Sequence, residues 1–343
     1  MDEKRKPSTL RRFFRSYFGR IVLALILIAV IQLYGIWATI VFPHLREKRI
    51  AQRIESLGGT VEWEDRGPVW IPEPICDRIR VFWTITKIEI NDLTTPPELF
   101  SEFGALHSLR HLQLLRGQQI TDTELKHLKR LTNLQSLILD ETRITDAGLV
   151  HLNGLTKLEF LSLDDTRITD AGLMHLRGLT KLQFLSLWNA QITDTGLAHL
   201  NGMNNLEILV LKGARVSGNG LEHLKALVNL RDLDLRCTHV TDAGLEHLTS
   251  LTNLKTLDLN HTETTPEGRA ILRKALPDCR IEPNDLPIPL NSTLPAQMEP
   301  RKMPGIPLES GIYKVSDHPV SSVSPAKQAE PSEFEIEVPK PTD

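Results

Sequence analysis

The sequence predicts an α/β solenoid, with helices along one side of a parallel sheet, and three observations predict it. First, a 24-residue unit recurs without insertion from Thr121 to Thr264, its copies opening at Thr121, Thr145, Thr169, Thr193, Ser217 and Thr241. A fixed period in this range marks a repeat architecture and outranks any local motif. Second, leucine or a close substitute falls at positions 5, 8 and 11 of the unit, the spacing of a helix face, as at Leu149, Leu152 and Leu155. Third, positions 17 and 19 alternate, as at Leu161 and Leu163, which is the spacing of a short strand. Each copy reads helix, turn, strand. A single unit cannot bury its own apolar face, so the copies must stack. Strands stack about 4.8 Å apart and helices about 8–10 Å apart. The expected shape is a horseshoe with a concave parallel sheet and convex helices.

Within the unit, Thr or Ser at position 1 suits an N-cap, and the Asp that usually follows suits the positive end of a helix. The LxxLxLxxT core, Leu158 to Thr166, resembles the leucine-rich repeat family, with Thr where many members carry Asn. The TDAGL-x-HL opening resembles a subset abundant in membrane-anchored bacterial proteins. The resemblance implies the fold and leaves activity open.

Taken in order, residues 1–20 form a basic segment, with Lys4, Arg5, Lys6, Arg11, Arg12, Arg15 and Arg20 against Asp2 and Glu3. Ile21 to Phe42 is an apolar run with Gln32 and Thr39 as its clearly polar side chains. As a helix it spans about 33 Å, enough to cross a hydrocarbon core. The alternatives are a cleaved signal peptide and a buried helix. The run is longer than a usual signal core, and no small-x-small cleavage site follows it. The sequence therefore predicts a single transmembrane anchor at 21–42. Positive charge is denser before the span than after it, where Arg46, Lys48, Arg49 and Arg53 are diluted by Glu47 and Glu55. That bias predicts a cytoplasmic N-terminus and a repeat domain on the periplasmic or extracellular side.

Residues 43–95 read as an N-terminal cap over the open edge of the sheet. They hold a short amphipathic helix at 44–58, a strand at 60–65, a Pro/Trp segment around Trp70, and a strand alternating into Ile88 and Ile90. Trp63, Trp70 and Trp83 are expected to pack the cap. The repeats with their C-terminal cap occupy 96–283, opening on a 25-residue copy in which Phe100 and Phe103 replace leucines. From 284 to 343, Pro, Ser, Glu and Lys dominate without periodicity, which predicts a disordered tail. Its P-x-x-P at Pro304 and Pro307 reads as linker.

The totals exclude several functions. A formal net charge of −3 gives no electrostatic case for nucleic acid. Cys76, Cys237 and Cys279 form no CxxC pair and no zinc spacing. The phosphate-loop, G-x-S-x-G and H-E-x-x-H patterns are absent from the sequence. Gly218-Asn219-Gly220 starts a dinucleotide-like pattern, but His223 takes the place of the third glycine. Asp140, Glu141, Asp164 and Asp165 are expected to form a solvated acidic rim facing Arg143 and Arg167. The column His127, His151, His175, His199, His223 and His247 is expected to be structural, because helix spacing keeps successive rings about 10 Å apart, too far to share a metal ion. No catalytic residue, cofactor, metal or small-molecule substrate is expected.

Positions 16 and 18 of the unit point away from the core if 17 and 19 point into it. Ile138, Phe160, Phe184, Ile208 and Val210 then share the concave face with Trp188 at position 20. An exposed apolar patch with aromatic anchors predicts a protein-binding surface; cross-strand covering of one side chain by the next is the alternative. The reading is a membrane-anchored repeat protein that binds a macromolecule through that face. Its rivals are an adaptor of ubiquitin-ligase or effector type, which would carry an adaptor-binding helical box where the span lies, and an enzyme with an unrecognised site.

Overall fold

A computed structural model describes residues 17–65, 83–91 and 96–283. The basic residues up to 16, the segment holding Trp70 and Cys76, and the tail from 284 lie outside the described residues.

The apolar run forms helix α1 (Tyr17–Ile36), which passes through a π-helical turn (Trp37–Val41) directly into α2 (Phe42–Ser56). The span and the cap helix, expected as separate elements at 21–42 and 44–58, thus run on without a break. The helical run is long and apolar enough to cross a membrane, and its large side chains from Leu23 to Tyr34 are exposed. Farther on, α2 buries Ile50, Ala51 and Ile54 against the end of the sheet. Buried Glu47 accepts the backbone N–H of Ile85 at 2.9 Å.

Strand β1 (Thr60–Asp65) pairs antiparallel with β2 (Trp83–Ile90), with a register shift between Glu62 and Trp63. Eight parallel strands follow in sequence order: β3 (His111–Leu114), β4 (Ser136–Ile138), β5 (Phe160–Ser162), β6 (Phe184–Ser186), β7 (Ile208–Val210), β8 (Asp232–Asp234), β9 (Thr256–Asp258) and β10 (Arg280–Glu282). The parallel register advances by one unit per strand, so Leu137, Leu161, Leu185, Leu209, Leu233 and Leu257 align as one buried row.

Before the strands lie short helices: α3 (Pro97–Phe103), α4 (Asp122–Leu128), α5 (Asp146–Leu149), α6 (Asp170–Leu173), α7 (Asp194–Leu197), α8 (Asp242–Leu245) and α9 (Pro266–Ala275). From α5 to α8 each α-helical turn continues as a 3₁₀ turn, such as Val150–Leu152. The copy opening at Ser217 differs: it is 3₁₀ throughout Asn219–Ala226.

What ties one unit to the next is the TDAG opening. Asp146 accepts the backbone N–H of Thr169 at 2.8 Å on Oδ1 and the Thr169 hydroxyl at 2.6 Å on Oδ2. The same pair of bonds joins Asp122 to Thr145, Asp170 to Thr193, Asp194 to Ser217 and Asp242 to Thr265. Glycine at position 4 makes room for this carboxylate. A Cβ at Gly148, Gly172, Gly196, Gly220 or Gly268 would collide with the preceding unit's Asp Oδ1. Position 4 of the first copy is instead Glu124, and the preceding copy offers Pro97 rather than Asp at the corresponding place. Glu124 itself accepts the Thr121 N–H and hydroxyl, closing a capping box. One link is different: Gly218 stands where Asp is expected, and its backbone lies directly against Gly244 of the next unit.

Position 22 supplies a second bond, within the unit. Thr142, Thr166, Thr238 and Thr262 donate their hydroxyls to the carbonyl three residues earlier at 2.6–2.7 Å. Ala190 and Ala214 lack that donor. The residue before each of these adopts the left-handed conformation: Glu141, Asp165, Asn189, Gly213, Cys237 and His261 all have φ between 53° and 73°. Glycine is the residue that fits there without strain, so the turn at Gly213 is the unstrained one of the set.

Candidate functional site

The outward face of the sheet is built from positions 16 and 18 of each strand and position 20 just beyond it. Parallel register brings Phe160 beside Phe184 and Ser162 beside Ser186. The two phenyl rings stack face to face, centroids 3.9 Å apart and planes 5° apart. Each covers the other, so Phe160 is 6% and Phe184 7% exposed. This corrects the expectation of exposed aromatic anchors: alternation sets the direction of a side chain, and the neighbouring strand decides whether it meets water. Ile138, Trp188, Ile208 and Val210 do keep part of their surface. Over the Trp188 ring stands the Lys212 ammonium, 4.7 Å from its centroid.

Position 20 carries a column of contrasting chemistry: Asp140, Asp164, Trp188, Lys212, Arg236 and Asn260. The Oδ1 of Asp140 accepts the Ser162 hydroxyl at 2.6 Å and the Asp164 N–H at 3.0 Å. One unit on, Asp164 Oδ1 accepts the Ser186 hydroxyl and the Trp188 N–H. These two carboxylates are largely buried, which corrects the expectation of a solvated rim. Burial, reinforced by the charge of Asp164, raises Asp140 to about 7. Burial raises Asp164 to about 6, against the opposing bonds from Ser186 and Trp188. Glu141 remains exposed and meets Arg116 at 3.6 Å, while Arg143 reaches Gln118 rather than a carboxylate.

At the other end of the face, Arg236 grips Asp234 with Nε and Nη2 at 2.6–3.0 Å and reaches Asp258 at 3.4 Å. Asp258 also accepts from the Asn260 backbone and side chain at 3.0 and 2.7 Å. On the edge leading into β7–β9, a polar groove of about 360 Å³ is lined by Asn205, Glu207, Asn229, Arg231, Asn253 and Lys255. Its asparagines are structural: Asn205, Asn229 and Asn253 donate to backbone carbonyls of the preceding unit at 2.6–2.8 Å. Among the described residues no group of three or more His, Cys, Asp and Glu side chains is placed to hold a metal ion. Cys237 and Cys279 are free thiols. In the histidine column, Arg177 meets Nδ1 of His199 at 2.7 Å across one unit.

Sequence reasoning missed the Asp140–Ser162–Asp164–Ser186 chain. Its signal was Asp at position 20 followed, one unit later, by Ser at position 18. That pairing emerges only when successive copies are set in register.

Comparison with known proteins bears on the fold. A family model described as Leucine Rich repeat matches residues 154–176 and 226–248. Among solved structures, the chain resembles internalin C2 from Listeria monocytogenes at 25% identity, over 53% of this chain and 72% of that one, with a TM-score of 0.42. It also resembles a leucine-rich repeat protein of Leptospira interrogans at 21% identity, over 57% of this chain and 58% of that one, with a TM-score of 0.40. No curated protein matches by sequence. The two matched windows lie three units apart, in the same phase of one uninterrupted stack whose every copy places its leucines in a shared core. The chain thus carries leucine-rich repeats, matched by that family model at 154–176 and 226–248.

Proposed function

We propose that this chain is a membrane-anchored leucine-rich-repeat protein that binds another protein through the outward face of its sheet. The observation that carries the reading is the set of half-exposed apolar side chains Ile138, Trp188, Ile208 and Val210 on the same face as the buried Phe160–Phe184 pair. Apolar side chains on an otherwise polar face, framed by charge, are the composition of a recognition surface. Solenoids offer such extended faces because each unit adds one strand to a continuous sheet. The phenyl pair acts as a rigid floor; the contacts fall to the residues around it.

The anchor half of the reading rests on the exposed apolar helix α1 and its unbroken passage into α2, which packs on the cap. The charge bias across the span supports a cytoplasmic N-terminus and an exported repeat domain.

Trp188→Ser combined with Ile208→Ser tests the binding face in affinity capture from the native cell, using the full chain. Capture is expected to be lost at an unshifted melting temperature. Unchanged capture by the folded double variant contradicts the assignment. For orientation, a reporter active only after export, fused to the C-terminus, is expected to be active. Activity of a cytoplasm-only reporter at that position reverses it.

A further inference from the structure

Resting on the reading that the outward sheet face takes a protein, the charges on that face indicate which kind. Between β4 and β9 the outward positions carry five carboxylates, Asp140, Asp164, Asp232, Asp234 and Asp258, and two cations, Lys212 and Arg236. Both cations are engaged within the face, Lys212 over the Trp188 ring and Arg236 on Asp234 and Asp258. Lys212 therefore offers an incoming anion a charge already placed over an aromatic ring, and Arg236 one already shared by two carboxylates. The carboxylates outnumber them and fall into two groups. Asp140 and Asp164 stand at one end, largely buried, and the bonds from Ser162 and the Asp164 N–H to Asp140, and from Ser186 and the Trp188 N–H to Asp164, fall on Oδ1. Asp232, Asp234 and Asp258 stand at the other, and Asp232 has no cation within salt-bridge distance among the described residues. The apolar row of Trp188, Ile208 and Val210 lies between the two groups.

We infer that the partner presents an extended segment with an apolar centre and a Lys or Arg on each side of it. One basic side chain lies at Asp140 and Asp164, the other at Asp232 and Asp234, and the aliphatic or aromatic residues between them cover Val210, Ile208 and the edge of Trp188. Strand spacing and register fix the separation. From the gap between β4 and β5 to β8 is three to four strand spacings, and Asp140 and Asp164 lie two to four residues farther along the strand direction than Asp234 and Asp232, so the two groups stand roughly 20 Å apart. Extended chain covers that distance in about six residues. Complementary charge at both ends sets the register of such a segment and disfavours acidic competitors.

The test is selection from a randomised twelve-residue peptide display library on the full chain in detergent at pH 8. It is run in parallel on the fourfold variant Asp140→Asn, Asp164→Asn, Asp232→Asn, Asp234→Asn, whose side chains keep their shape, with melting curves to verify folding. The expected result is enrichment of sequences with Lys or Arg about six positions apart around an apolar core, bound at least tenfold more weakly by the variant and weakened by salt. Acidic or uncharged binders that are lost with Trp188→Ser plus Ile208→Ser overturn the charge assignment and leave the sheet face as the binding surface. Binders indifferent to both sets of substitutions overturn the charge assignment and the sheet-face reading together. Basic binders unaffected by the fourfold variant, or no enrichment at all, also overturn the inference.

Discussion

At the scale of single residues, the carboxyl of Asp140 is the group whose environment most contradicts its chemistry. Burial and the neighbouring Asp164 raise it to about 7 from an ordinary value near 4. A carboxyl raised on folding binds its proton more tightly in the native state, so stability falls as pH rises from about 4 to about 7 and then levels off. The melting temperature is therefore expected to be higher at pH 5 than at pH 8. Asp140→Asn keeps an oxygen for Ser162 and the Asp164 N–H while removing the charge. It is expected to stabilise the protein at pH 8 by about 2 kcal/mol, roughly 4–8 °C, and to have much less effect at pH 5. A melting curve series across pH checks both; a variant less stable at pH 8 than at pH 5 relative to the parent contradicts the assignment. Gly172 gives a second residue-scale prediction. Its missing Cβ leaves the space occupied by Asp146 Oδ1, so Gly172→Ala is expected to cost about 2–3 kcal/mol in denaturant unfolding. Because the closest clash is with Asp146, ahead of Ile168 Cγ2 at 2.9 Å, the cost should shrink by at least about 1 kcal/mol in an Asp146→Ala background. Additive costs would show that glycine serves some other purpose there.

At the scale of the element, the unit opening at Ser217 is the weak link of the stack. Ala214 lacks the hydroxyl that closes the equivalent turn at Thr142, and Gly218 lacks the carboxylate that the other openings offer the next unit. The helix is 3₁₀ throughout, a form with poorer hydrogen-bond geometry than the α-turns of its neighbours. Amide exchange across 213–220 is expected to be faster than across 141–148, as read by mass spectrometry on the full chain. Equal protection in the two segments contradicts the prediction. Much of this element was legible in the sequence: the 3.6-residue and two-residue spacings at Leu149–Leu155 and Leu161–Leu163 locate helix and strand before any coordinates. The reason for the TDAG consensus was also written there, since Gly at position 4 follows an Asp at position 2 one unit earlier. It stayed unread because position 2 looked sufficient as a helix-dipole residue, and because the bond it makes spans 23 residues of chain. Phe160 and Phe184 show the other limit. Alternation placed them on the outward side, but their burial depends on two flat rings meeting across neighbouring strands, which a single-unit pattern does not encode.

At the scale of the whole molecule, the apolar helix and the repeat stack are joined without a linker: α1 runs through a π-helical turn into α2, and α2 is part of the cap. The central claim is that recognition occurs on the sheet face. Photo-crosslinking in the native cell tests it most directly, with a benzophenone amino acid placed in the full chain at Val210 on the sheet face, or at Val150 or Met174, which are exposed on the helix side. A protein adduct of defined mass from Val210, with none from Val150 or Met174, is the predicted result. Adducts from the helix-side positions with none from Val210 would contradict it.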